Sequence, residues 1–169
     1  RTTALLAALH AAGVRDCLVG SFCDPELAAE AHQVGVGGRF QARFNRSRDA
    51  KAPWAQWDLS FDAEAEVFAL HDGDVVGEQG MTASRRLVLG PSAALRMDGI
   101  TVVVISDRTQ TADPVFFLMF GLDISAARTV VVKSRGHFRA GFADWFPAEQ
   151  VFEVDTPGLT SPVHSRWPF

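Results

Sequence analysis

Two polar stretches hold the residues best able to do chemistry. The first is Lys133-Ser134-Arg135-Gly136-His137-Phe138-Arg139, where an apolar run over residues 129–132 passes straight into polar side chains. A helix starting at Ser134 would bring Ser134, His137 and Phe138 onto one face. Its first turn, at the end of a strand, would offer free backbone N–H groups to an anion or a carboxylate. His137 can act as acid, base or hydrogen-bond donor near neutral pH, and Lys133 and Arg139 add positive charge. The plainer reading is that His137 satisfies a carbonyl and Arg139 makes a salt bridge, and the residues alone leave both open. The second stretch, residues 106–113, follows another apolar strand and contains Asp107, Arg108 and Gln110. In α/β sheets ligands bind beyond the carboxyl ends of strands; an ordinary polar loop with an internal Asp–Arg pair is the competing reading.

Other familiar constellations are missing. No two of His10, His32, His71, His137 and His164 stand in HxH or HExxH spacing, and none has a nearby acidic pair in a metal-ligand pattern. His10 and His32 fall on helix flanks, facing solvent, and His71 precedes a turn. Gly35-Val36-Gly37-Gly38 follows a helix and opens a strand, the reverse of a dinucleotide-binding loop, and reads as a connection with positive φ angles. There is no GxSxG elbow. Cys17 and Cys23 form no CxxC pair: Cys17 reads as a small core hydrophobe and Cys23 as a loop cysteine, which together fit a reducing, cytoplasmic compartment.

The elements that position these groups follow from periodicity. The chain opens on a helix that Thr2 or Thr3 can cap, with Leu5, Leu6, Leu9 and Ala12 inward and Gly13 at its end. A buried strand over 16–22 leads to Asp24-Pro25, an N-cap followed by proline at the first helical position. Leu27, Ala28, Ala31 and Val34 give that second helix its inner face. From 35 to 105 strands dominate. Trp57, Leu59, Phe61, Ala63, Ala65 and Val67 alternate with polar residues, the period of a half-solvated strand. Asp72-Gly73 and Asp98-Gly99 read as tight turns joining antiparallel strands, and Gly90-Pro91 as a break. Further strands are expected over 87–89, 93–97 and 100–106. Asp113-Pro114 then opens a helix over 115–120 closed by Gly121, 129–132 is a buried strand, 134–142 a helix capped by Ser134, 151–154 a last strand, and 156–169 an extended tail. The fold class is α/β: a mixed sheet with flanking helices and a strand-rich, hairpin-containing middle.

Composition bounds the function. With 169 residues the chain is one domain, and 47% hydrophobic with 21% charged residues marks it as globular. A net charge of -4 with scattered basic residues excludes a phosphate-tracking nucleic-acid surface. No apolar run approaches the length of a membrane span, and no secretory leader pattern is present. The chain starts on a helix with no initiator methionine, so it is expected to be a domain drawn from a longer protein.

In this order the motifs resemble a known family. KSRGHFRAGF followed by VDTPGLTS, preceded by SDRTQTADPVFF and GLDISAARTVVVKS, resembles the closing part of the microcystinase C-like metallopeptidases. TTALLAALHAAGV and DPELAAEAHQVGVG resemble the opening of that family's C-terminal domain, so the similarity runs over nearly the whole chain. The ending Arg166-Trp167-Pro168-Phe169 departs from the family's Arg-Pro close, and nothing is carried over for it. The resemblance implies a zinc-dependent peptidase or amide hydrolase acting on a peptide or small amide substrate. Its zinc ligands would lie in an N-terminal metal-binding domain of the same protein, outside this chain, so no metal ligand or catalytic residue is assigned here and the isolated chain is expected to be inactive. Lys133, Ser134, His137 and Arg139, with Asp107, Arg108 and Gln110, would then line the substrate cleft or the domain interface. A non-enzymatic ligand-binding or assembly domain on the same fold is the alternative.

Overall fold

The computed structural model describes residues 3–46, 51, 59–134 and 136–156. The expected cap at Thr2, the alternating residues Trp57 and Asp58, Arg135, His164 and the tail beyond 156 lie outside them. A six-stranded mixed sheet forms the body. Its strands are β1 (Cys17–Cys23), β2 (Arg39–Phe44), β3 (Phe61–His71), β6 (Ser92–Met97), β7 (Ile100–Ile105) and β8 (Thr129–Val132), in the order β2-β3-β6-β7-β1-β8. β4 (Asp74–Val76) and β5 (Arg86–Val88) make a separate antiparallel ribbon. Helices α1 (Ala4–Ala11) and α2 (Pro25–Val34) pack on one face, and the short helices α3 (Val115–Leu118) and α4 (Phe138–Gly141) on the other.

β7, β1 and β8 run parallel, while β2, β3, β6 and β7 are antiparallel in succession. β7 is buried at every position, as a central strand covered on both faces must be, which fits its sequence ITVVVI, apolar but for Thr101. The α2 face buries Leu6, Leu27, Ala31, Phe44, Val67, Leu95 and Val102; the α3 face buries Leu89, Val103, Ile105, Phe116, Phe117 and Ile124. The β2–β3 hairpin extends beyond β6 and folds over α1 and α2. Phe44 reaches Phe22 with ring centroids 5.4 Å apart, and Phe61 reaches His10 at the same distance. The expected alternation holds, with Ala63, Ala65 and Val67 buried and Asp62 and Glu64 exposed.

Asp98-Gly99 is the expected turn: both residues have positive φ, 44° and 88°, and they join β6 to β7. Asp72-Gly73 is a turn of another kind. His71 pairs with Ser92 of β6, and β4 pairs with β5 and not with β3. The chain leaves the sheet instead, and Gly73, at φ 81°, passes so near Gly90 that an added Cβ would lie 1.9 Å from its carbonyl oxygen.

Five further expectations need correction. Thr3 does not cap α1; its hydroxyl donates to the Leu59 carbonyl at 2.5 Å, tying the helix start to the β3 approach. Leu59, read as inward-facing, is 51% exposed because it precedes the ladder. β8 is an edge strand and only half-buried. The helix read over 134–142 is α4 alone. Gly136, at φ 107°, interrupts the helical path, so Ser134 caps nothing. Residues 151–154 join neither sheet among the described residues, since strand propensity without a partner edge makes no strand.

Candidate functional site

The parallel register sets the carboxyl ends of β7, β1 and β8 side by side: Cys23 is level with Ile105, and Gly20 with Val132. Three connections emerge there, namely 106–113, Asp24-Pro25 and 133–137. The first crosses the end of the sheet. Ser106 and Asp107 anchor it by donating their backbone N–H groups to the Leu89 carbonyl at 3.0 and 2.8 Å. Thr111, fully buried, then donates its hydroxyl to Ser21 of β1 at 3.0 Å. Between these anchors Gln110 reaches the exit of β8, where its Oε1 accepts from the Ser134 hydroxyl at 3.4 Å.

The two sequence stretches therefore meet, through Ser134 and Gln110. The other candidates divide. Arg139 is turned aside: it donates to Glu153 at 2.6 Å and lies over the Phe138 ring, 5.4 Å from its centroid. Lys133, His137, Asp107 and Arg108 are exposed, and among the described residues their side chains have no hydrogen-bond or ion-pair partner. His137 satisfies no carbonyl, and Asp107 and Arg108 form no internal pair. Two grooves lie elsewhere. One of about 380 Å³, lined by Gly13, Arg15, Arg128 and Thr129, opens at the opposite end of the parallel strands. The other, of about 400 Å³, lies beside Trp145 and Phe146. Among the described residues, Lys133, His137, Asp107 and Arg108 leave this rim exposed.

Two buried acids escaped the sequence reading as long-range anchors. Asp24 accepts from the Leu27 N–H at 3.1 Å, the expected cap, and its second oxygen accepts from the Asn45 N–H at 2.8 Å. Asp113 accepts from Val115 N–H at 2.9 Å through Oδ1. Its Oδ2 accepts from Glu78 N–H, Gln79 N–H and the Thr82 hydroxyl, at 2.8, 3.0 and 2.7 Å. Each is an Asp-Pro dipeptide, which signals the local cap and says nothing of the distant partner.

A zinc ion does not fit this donor set. Among the described residues no three His, Cys, Asp or Glu side chains converge. Asp24 and Asp113 have both oxygens occupied by backbone or hydroxyl donors. His10 is held by Asp98 at 3.1 Å, His32 by the Ser92 carbonyl at 3.1 Å, and His71 by the Gly73 N–H at 2.9 Å. Burial pushes the Cys17 thiol up to about 11, against formation of a thiolate ligand. Cys23, which ends β1 and is not in a loop, points its sulfur at the Ser106 carbonyl.

Fold and rim together define a mixed-sheet α/β domain whose polar loops gather at the carboxyl ends of three parallel strands. The chain belongs to the family described as MlrC C-terminus, whose model matches residues 1–169. Its fold is that of a solved chain described as "Putative metallopeptidase from Mesorhizobium sp. BNC1", with a TM-score of 0.81 at 20% identity. The match covers 99% of this chain and 32% of that one, so this chain spans about a third of its length. No curated protein matches. Among the described residues no helix is long and apolar enough to cross a membrane.

Proposed function

We propose that this chain is the C-terminal domain of a zinc-dependent peptidase or amide hydrolase, completing the substrate cleft of a metal-bearing domain that precedes it in the same cytoplasmic polypeptide. The observation that carries the reading is the open rim. Lys133 and His137 flank Ser134 in sequence, Asp107 and Arg108 precede Gln110, and among the described residues all four are exposed without side-chain partners, at the sheet end where α/β proteins hold ligands. Such groups suit a peptide carboxylate or carbonyl once a second domain supplies the facing wall. Family membership and a solved relative three times as long support a parent of this design. In that enzyme the metal would activate water from the preceding domain, and this chain would bind and orient substrate. Two unbridged thiols fit a reducing compartment.

The test is made on the full-length parent. Zinc content and peptidase activity are expected there, and neither in this chain alone. His137→Ala in the parent should lower turnover at least tenfold and leave the thermal midpoint within a degree or two, since an exposed side chain without a partner contributes little to stability. A variant that melts several degrees lower, with normal turnover in its folded fraction, makes His137 a fold residue. A parent with neither metal nor activity turns the assignment toward a ligand-binding or assembly domain.

A further inference from the structure

Most arginines of the sheet and its hairpins are engaged. Arg39 pairs with Glu64 and Glu66, Arg46 with Glu26 and Glu30, and Arg86 with Asp74, while Arg96 lies over the Phe68 ring. Arg15, Arg43, Arg85, Arg108 and Arg128 have no such partner among the described residues. Of these, Arg15 and Arg128 line one groove together, the opening of about 380 Å³ at the amino ends of β1 and β8, and no carboxylate lines it. The segments that carry them are tied to each other. The Asp16 carbonyl accepts from both the Arg128 and the Thr129 N–H groups, at 2.8 and 3.3 Å. The Arg15 stem rests on the β6–β7 turn so closely that an added Cβ at Gly99 would lie 2.9 Å from its Cγ. Neighbouring acids do not cancel the charge. Asp16, next in sequence, forms no ion pair with either guanidinium, and Asp98, beside Gly99, is held by His10. Arg128 also borders the second groove, where Asp144 stands, without pairing with it.

We propose that the groove between Arg15 and Arg128 binds a doubly charged oxyanion, the phosphate group of a small molecule. Two guanidinium groups match two negative charges, and each offers a planar fork of N–H donors that fits a pair of phosphate oxygens. A lone carboxylate would leave one of them unmatched. Thr129, exposed and without a side-chain partner, adds a hydroxyl donor to the same lining. Two unneutralised cations in one groove repel each other, and a bound dianion removes that repulsion. The carbonyls that end α1 do not oppose the anion freely, since those of Ala8, Leu9 and His10 accept from Ala12, Val14 and Gly13. The volume exceeds what a bare phosphate needs and leaves room for the group that carries it. The groove lies at the opposite end of the parallel strands from the rim, so its ligand is distinct from a substrate held there, and the site does not depend on the hydrolase reading.

Titration of this chain with inorganic phosphate tests the site, followed by amide NMR shifts at constant ionic strength and at about pH 7.5, where phosphate is mostly a dianion. Amides 13–16, 128 and 129 should shift together along one saturable curve with a millimolar midpoint, and acetate should need at least tenfold higher concentration for the same response. Arg15→Gln with Arg128→Gln should weaken phosphate at least tenfold and leave the thermal midpoint of the phosphate-free chain unchanged. If Arg15→Gln disturbs the packing on Gly99, Arg128→Gln alone must weaken phosphate at least fivefold, because that side chain makes no contact of its own. Shifts that do not saturate, an equal response to acetate, or full binding by the variants each overturn the proposal. So do shifts spread equally over Arg108 and Lys133 at the rim, which mark an adventitious ion only.

Discussion

The two faces of the sheet are locked by the same dipeptide in different ways. On the α2 face, Asp24-Pro25 starts a ten-residue helix, and the carboxylate has one long-range duty, the Asn45 N–H. The surrounding core is held by regular elements: α1, α2 and the β2–β3 hairpin. On the α3 face, Asp113-Pro114 starts a helix of four residues, and the carboxylate gathers three donors from a loop more than 30 residues earlier in the chain. There Phe116, Phe117, Phe120, Phe142 and Trp145 supply the mass that regular elements supply on the other side. Where helices are too short to bury a continuous stripe, aromatic side chains and one saturated carboxylate organise the face. The open rim sits on this second kind of support, which suits loops whose task is to meet a partner.

Removing each carboxylate measures that difference. Asp113→Ala leaves the buried Val115 N–H and three part-buried donors without their acceptor, and should cost on the order of 3 kcal/mol in urea unfolding. It should also loosen the β4–β5 ribbon selectively, with amides 74–88 exchanging faster than those of α2. Asp24→Ala removes one cap and one hairpin bond and should cost about 2 kcal/mol, with no effect on the ribbon. Equal losses from the two variants would dissolve the contrast between the faces.

What was legible in the sequence follows the range of the interaction that decides it. Periodicity and local caps are short-range, so β1, α2, β6, β7 and the Asp98-Gly99 turn stand where the pattern puts them, within a residue or two, and β3 keeps the expected inward face although it runs over Phe61–His71 where the alternation was read over 57–67. Misreadings arise where a distant neighbour decides. Asp72-Gly73 has the composition of a hairpin turn, but the strand after it pairs with β5 and Gly73 passes against Gly90. Ser134 has the composition of a cap, but Gly136 adopts a left-handed conformation that stops the helix before it starts. At the candidate site, the position of the two stretches beyond strand ends was readable. Their meeting through Ser134 and Gln110 was not, because it depends on β1 lying between β7 and β8. Arg139 was read as lining the cleft or the domain interface; its partner Glu153 was not readable, because it lies in a segment whose own strand reading does not hold.

The dryness of the α2-face core has a pH signature. Cys17 is 1% exposed, and burial raises its thiol from 9.0 to about 11. The folded state therefore holds the proton more tightly than the unfolded state. The stabilisation is complete below pH 9 and is lost as pH rises toward about 11, at about 1.4 kcal/mol per unit in between. The chain has no tyrosine, which leaves few other groups titrating in that range. Urea midpoints measured from pH 8 to 11 should fall for the native chain and fall less steeply for Cys17→Ala. Parallel slopes would mean that water reaches this thiol, and that the α2 face is less well sealed than its regular elements suggest.

The smallest expected effect is at the rim itself. The Ser134 hydroxyl and Gln110 Oε1 are 3.4 Å apart on an exposed surface, near the outer limit of a hydrogen bond. Water can replace either partner there, so Ser134→Ala and Gln110→Ala should each change stability by less than about 0.5 kcal/mol. A double-mutant cycle should give a coupling below about 0.5 kcal/mol. The same cycle on KM and turnover in the full-length parent should show larger coupling, because a substrate spanning both loops would sense their relative position. A stability coupling above about 1 kcal/mol would show that this contact fastens the 106–113 loop to β8 as part of the fold. The rim would then resemble the Asp113 anchor, and its polar residues would lose their claim to be a binding surface.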